Sequence, residues 1–400
     1  MTASDTVVEA LLAFTRPSEV GPDSERRGLL RARTRSPEQN EDPASFDHRL
    51  CRLTAWGGAG FRPGLLEHGF ESVDLSGVDG LLPLLERIRD AGEVRPEDAR
   101  EVRRRLAGLS FPLGDGSLVR FVSIAPEGFI MRRAGPAGMA MSPPEAMTPM
   151  NGHDAARTVH ADQDILGTPL RQLMRGAAPW LFRHDAPDSR NRWSPVLLLN
   201  LWIPLQQITR PLALMDKRTL DRRAHQLRYG LPTERFLDRD EDRRVNDIWT
   251  FLHDDGQRWY FRDELPLGHA YVFETLGTPH ASFAIPGEER AALRHRQLAA
   301  AREAVARGDA AGLRSAVRDS GADGEAAIGT RPLARAVEAM ETLLAEADRD
   351  AEALCRGEGA EAWRARAGRA TDAVVRSSIE MRVVAVRRPR WLSARRPRTH

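Results

Sequence analysis

The chain is short of several residue types, and each shortage removes a class of chemistry. Lys217 is the only lysine among 400 residues, so the positive charge is carried almost wholly by arginine. No G-K-[ST] exists to close a phosphate loop, and a Schiff-base lysine could only be Lys217. Cysteine occurs twice, at Cys51 and Cys355, too few for a disulfide framework or a multi-cysteine zinc site. No G-x-S-x-G elbow is present, which argues against a common serine hydrolase. The longest apolar run, Pro195 to Leu205, contains Asn200 and is too short to span a bilayer. The N-terminus lacks a basic segment of the signal-peptide kind, so a cytoplasmic location is expected and a membrane is not. An excess of either charge is missing too: 59 Lys+Arg stand against 57 Asp+Glu. That balance argues against nucleic acid as a partner, although residues 387–400 form a basic tail with six arginines.

What remains is a soluble-type composition, 41% hydrophobic and 29% charged, able to bury a core. Residues 1–55 read as an N-terminal extension, with 26–43 loop-like or disordered. Leu81, Leu82, Leu85 and Ile88 make a short helix that Gly92 ends. Pro96 opens a second, with Ala99, Val102 and Leu106 on one face. The stretch 118–133 reads as two strands about a Pro-Glu-Gly turn. Residues 194–205 are apolar on both faces and predict a central strand. Further strands are predicted around 156–162, 210–216, 258–265 and 268–286. Beyond Pro286 the composition becomes Ala-, Arg- and Glu-rich, with Leu333, Val337, Met340 and Leu344 at helical spacing. Strand chemistry returns at 376–386. The fold class is therefore mainly β with helices. Its β-domain covers 56–286 plus 376–386, interrupted by a helical insertion at 287–375. The insertion is too poor in large apolar residues to stand alone, and is expected beside the mouth of the β-domain as a lid, a homodimer contact or a docking surface.

The chemistry concentrates in three places. His160 and Asp162 are two apart in an extended segment, which aims both side chains to one face. A second H-x-D, His253 and Asp255, lies in a turn and reads as surface. One ordered distal histidine, His280 in TPHASF, completes a two-histidine, one-carboxylate set of the kind that binds Fe(II) and leaves positions for a co-substrate and O2. On the last strand Arg376, Ser378, Glu380 and Arg382 share a face. An arginine fork with a neighbouring hydroxyl suits the distal carboxylate of 2-oxoglutarate. An ion-paired strand is the plainer alternative.

With these residues assembled, the chain resembles the CmcJ/NvfI-type (AsaB-like) oxidoreductases. The landmarks are GFESVDL (69–75), RTVHADQD (157–164), LNLWIPL (199–205), RPLALMD (210–216), RWYFRDEL (258–265), PHASF (279–283) and RSSIEMR (376–382), in the family's order. The resemblance implies a double-stranded β-helix (jelly-roll, cupin-like) core with N-terminal helices. It also implies Fe(II)- and 2-oxoglutarate-dependent oxygenase chemistry on a small natural-product intermediate in secondary metabolism. Carried over, the iron ligands are His160, Asp162 and His280. The co-substrate anchor is Arg376 with Ser378, and Arg382 is held in reserve. Asn200 and Trp202 are candidate pocket residues. Two features depart from the family: the helical block before Arg376, and the lack of an acidic residue shortly before His280. Because the family includes a helper of a methyltransferase, a non-catalytic partner of a tailoring enzyme is the competing expectation.

Overall fold

In the computed structural model the described residues are 6–57, 61–125, 129–143, 146–167, 176–206, 208–232, 245–318 and 327–388. The Pro-Glu-Gly turn and all but two residues of the basic tail lie outside them. Among the described residues two large sheets face one another.

The larger has ten strands. From one edge they are Val7–Phe14, Asp47–Ala55, Trp259–Phe261, Leu212–Met215, His280–Ser282, His160–Ala161, Val245–Phe251, Gln226–Pro232, Leu30–Ala32 and Val20–Pro22. All neighbours are antiparallel except Trp259–Phe261 against Asp47–Ala55 and Leu30–Ala32 against Gln226–Pro232. The smaller sheet has seven strands. Phe70–Asp74, His269–Glu274, Val196–Gln206, Arg376–Arg388, Leu118–Ile124 and Ser110–Pro112 run in order, and Ile130–Ala134 also pairs with Arg376–Arg388. The strand predicted to be central, Val196–Gln206, lies between His269–Glu274 and Arg376–Arg388. Its alternation explains why. Leu197, Leu199, Leu201, Ile203 and Leu205 pack beneath the helices Leu81–Ala91 and Pro96–Leu106, while Trp202 faces the other sheet.

Residues 1–55 do more than extend the chain. Val7–Phe14 and Asp47–Ala55 are full strands of the larger sheet, and 26–43 contain the strand Leu30–Ala32 and the helix Pro37–Glu41. Charge density hid the order in that segment. Arg26 is ion-paired with Asp164 and Asp188, and Arg228 binds Asp23 at 2.7 Å and Glu25 at 3.0 Å. A run of charges that reads as solvated is instead satisfied by a charge network on strand Gln226–Pro232 and its neighbours.

The insertion is helical, as expected: Glu288–Arg307, Ala310–Arg318, Arg331–Arg349, Ala351–Cys355 and Ala360–Ala373. Its position differs from the expectation. Leu298, Leu333, Val337, Met340 and Trp363 join one apolar cluster with Ala213, Met215, Trp249, Phe251, Phe261 and Ala281. These last residues form the outer face of the larger sheet, so the helices cover the back of that sheet and not its mouth. The cause is area: a broad apolar sheet face must be removed from water, and the insertion supplies the matching apolar stripe. Among the described residues no helix is long and apolar enough to cross a membrane.

Candidate metal centre and anion pocket

Alternation along two short strands sends one histidine each into the space between the sheets. Ala161 and Ala281 point outward into the helix-covered core, so His160 and His280 must point inward. The two histidines are direct cross-strand partners, with ring centroids 4.4 Å apart. Asp162 follows on the same side. Its Oδ1 is 3.3 Å from His160 Nε2 and 3.8 Å from His280 Nε2. One ligand atom from each residue falls within 4.8 Å of the others, and no other such group of three occurs among the described residues.

Both rings are held the same way. His160 Nδ1 lies 2.8 Å from the Thr158 carbonyl and His280 Nδ1 lies 3.0 Å from the Thr278 carbonyl. A carbonyl only accepts, so each Nδ1 carries the proton and each Nε2 turns a lone pair toward Asp162. Thr278 is fixed in turn by donating to the Gly69 carbonyl at 2.9 Å. Gly69 has φ +97°, and a Cβ there would lie 2.6 Å from Thr278 Oγ1, so the glycine of GFESVDL permits this contact. Burial, with His160 beside it, pushes the His280 imidazole down to about 4 against the pull of Asp162. Burial alone would raise Asp162. Hydrogen bonding and charge from His160 and His280 in their protonated forms, together with the charge of Arg382, outweigh it and hold the carboxyl well below the usual range. Two neutral imidazoles and one carboxylate, each with its second polar atom already engaged, fit a divalent cation.

Asn200 supplies the engagement on Asp162. Its Nδ2 donates to Asp162 Oδ2, and its Oδ1 accepts from Thr275 Oγ1 at 2.8 Å. Trp202, two residues along, stacks on Tyr271 with centroids 5.0 Å apart.

The smaller sheet brings the arginines. Arg376 is buried, with 1% of its surface exposed. It donates to the Arg210 carbonyl at 3.2 Å, to Ser282 Oγ at 3.0 Å and to Ser378 Oγ at 3.3 Å, and it lies 5.2 Å over the Trp202 ring. Its Nε has no partner. Among the described residues no carboxylate pairs with it. Burial, then the neighbouring Arg132 and Arg210, push the guanidinium down to about 9. Ser282 stands two residues after His280 on the same inward face, so it joins the strand of His280 to Arg376. Arg382 is half-buried elsewhere along the same strand face, where its Nη1 donates to Gln163 Oε1 at 3.2 Å.

No protein-family model matches the chain, and no curated protein matches it by sequence. Among solved structures it is similar to the iron and alpha-ketoglutarate-dependent endoperoxidase NvfI, with a TM-score of 0.39 and 17% identity over 70% of this chain and 90% of that one. A Trp-to-Phe variant of that enzyme gives a TM-score of 0.41 at 17% identity, over 71% and 91% of the two chains. A different conformation of it gives 0.41 at 15% identity, over 70% and 91%.

Two relationships were not read from the sequence. Ser282 was missed, although its spacing from His280 repeats the i, i+2 rule that picked out Asp162. Arg132 was missed because its strand gave no sign of lying against residues 376–380; it donates from Nε to Glu380 Oε1 at 2.9 Å. The ion-paired-strand alternative thus holds for Glu380, whose partner is Arg132, while Arg376 and Arg382 have no ion pair among the described residues. The set-aside candidates lie apart from the centre. His253 Nδ1 is 3.9 Å from Asp255, whose side chain is fully exposed, and Lys217 is tied to Glu274 at 2.8 Å.

Proposed function

We propose that this chain is an Fe(II)- and 2-oxoglutarate-dependent oxygenase with a double-stranded β-helix core, acting on a small natural-product intermediate. The observation that carries the reading is the pairing of two opposite sites between the sheets. His160, Asp162 and His280 form a cation site, and Arg376 is a buried guanidinium with no carboxylate partner among the described residues. A buried cation lacking a counter-charge is costly in a folded chain unless an anionic ligand completes it.

In this reading His160, Asp162 and His280 hold iron, while Arg376 and Ser378 hold the distal carboxylate of 2-oxoglutarate. The bound pair supplies the oxidising chemistry: with O2, 2-oxoglutarate is converted to succinate and CO2 and one oxygen atom enters the substrate. The protein's part is placement. The Thr158 and Thr278 carbonyls fix the ring tautomers, and Asn200 turns Asp162 so that Oδ1 faces the histidines. Ser282 and the Arg210 carbonyl hold the Arg376 fork in one orientation before any ligand arrives. Trp202 and Tyr271 wall the space with aromatic surface and limit water beside the guanidinium.

The test is succinate formation by the purified protein with Fe(II), 2-oxoglutarate and O2, screened over natural-product scaffolds. Substrate-stimulated succinate that disappears in His160→Ala is expected. Succinate formation that is unchanged in His160→Ala would overturn the reading.

A further inference from the structure

Arg382 has no role in the reading above, and its surroundings point to one. It lies opposite Asn200 in the pairing of their strands, and Asn200 donates to Asp162, so the guanidinium stands on the Asp162 side of the centre. Arg376 occupies the other side, between Ser282 and Ser378. Among the described residues Arg382 has no ion pair. Its hydrogen-bond partner is a neutral amide oxygen, Gln163 Oε1, and most of the guanidinium's five donors are left unused. Gln163 is itself 1% exposed, and its Nε2 has no acceptor. A guanidinium can only donate, so Oε1 must face Arg382 and Nε2 must be the orphan. Because Nε2 and Oε1 share one carbon, that orphan donor lies immediately beside the guanidinium. A half-buried cation whose remaining donors reach solvent thus stands in contact with a buried amide whose donor has no acceptor.

Charge gives the class of ligand. Arg132 and Glu380 cancel as a pair. A 2-oxoglutarate dianion cancels a ferrous ion. Buried Arg210 and Glu288 offset one another, Asp162 offsets one of Arg376 and Arg382, and one positive charge is left over. The half-buried member is Arg382, which solvent and a substrate can both reach, whereas Arg376 is enclosed.

We propose that Arg382 and Gln163 bind a carboxylate of the primary substrate, so that this oxygenase acts on a monoanionic carboxylic acid. The inference rests on the iron and 2-oxoglutarate reading. Arg382 sets the charge preference, and Gln163 both steers the guanidinium and adds an amide donor. A carboxylate fits this donor set better than a phosphate, because a single net charge and two donor groups match a planar monoanion. Phe273, whose ring is 4.7 Å from that of His280, gives the neighbouring wall an aromatic surface, so an aryl acid is a suitable probe.

The experiment uses the full chain loaded with Fe(II) and 2-oxoglutarate in the absence of O2. Binding of phenylacetate and of its methyl ester is measured by calorimetry and ligand-observed NMR, for the wild type, Arg382→Gln, Gln163→Leu and Arg376→Ala. Uptake of Fe(II) and 2-oxoglutarate is measured for each. The wild type is expected to bind the acid at least about tenfold more tightly than the ester, as for loss of a charge-assisted contact. Arg382→Gln should lose that preference and Gln163→Leu should weaken the acid a few-fold, both with 2-oxoglutarate uptake unchanged. Equal binding of acid and ester, no binding of the acid by the wild type, or full acid binding by Arg382→Gln overturns the proposal. If Arg382→Gln loses 2-oxoglutarate while Arg376→Ala keeps it, Arg382 is the co-substrate anchor; the proposal falls and the oxygenase reading stands. If the wild type takes up neither Fe(II) nor 2-oxoglutarate, the oxygenase reading itself falls and takes the proposal with it.

Discussion

The two faces of the larger sheet are built from alternate residues of the same strands, yet they obey different rules. Outward, Ala161, Ala213, Met215, Trp249, Phe261 and Ala281 meet the helical insertion in one continuous apolar cluster. Inward, His160, Asp162, His280 and Ser282 face three arginines across the gap, and several donors there lack acceptors. One face gains stability by burying apolar area. The other keeps polar groups in a state that only a ligand completes. Neighbours such as His280 and Ala281 therefore differ in what their loss should do: an outward change should cost folding, an inward one binding.

The sharpest way to break this contrast is on the inward side. His160→Ala should abolish stoichiometric Fe(II) binding, measured by metal analysis after gel filtration, and leave the melting temperature close to that of the metal-free wild type. The outward counterpart is Leu298→Ala, on the first insertion helix and fully buried. It should cost about 2–5 kcal/mol of stability in denaturant unfolding while the folded protein keeps its Fe(II) affinity. Arg376→Met joins both sides of the comparison. It should weaken 2-oxoglutarate at least about thirtyfold, equivalent to about 2 kcal/mol, in an equilibrium titration. It should also hold or raise the melting temperature, because an unpaired buried charge is replaced by apolar volume.

How much of this contrast was visible beforehand follows from its periodicity. The candidate residues could be picked out because each lies at i, i+2 spacing or in a short patterned strand: His160 with Asp162, and Arg376 with Ser378. The central strand could be read from an apolar run with one interior polar residue, Asn200. What could not be read depended on contacts remote in sequence. Arg132 meets Glu380 across 248 positions, and Arg26 meets Asp164 across 138. Such pairs leave no local pattern, so strands in residues 1–55 passed for a loop-like extension. The insertion's helices were legible from their spacing. Their resting place was not, because the outer sheet face that claims them is assembled from seven separate strands.

A further expected effect is in pH dependence. Burial and His160 push His280 to about 4 from an ordinary value of 6.5, so the folded chain keeps this ring neutral where the unfolded chain protonates it. Between those values the unfolded state binds the extra proton, and stability falls as pH is lowered. Unfolding of the metal-free protein should lose stability from pH 6.5 toward pH 4, and in His280→Gln that part of the slope should be missing.

The central claim is that a cation site and an anion site face each other between the sheets. It is tested most directly by an anaerobic titration of the Fe(II)-loaded protein with 2-oxoglutarate, followed by the visible charge-transfer absorption of the chelate. The account predicts a saturable band in the wild type, none in His160→Ala, and a band that needs far more 2-oxoglutarate in Arg376→Ala. A wild type that shows no band, or an Arg376→Ala titration that overlays the wild type, would contradict it.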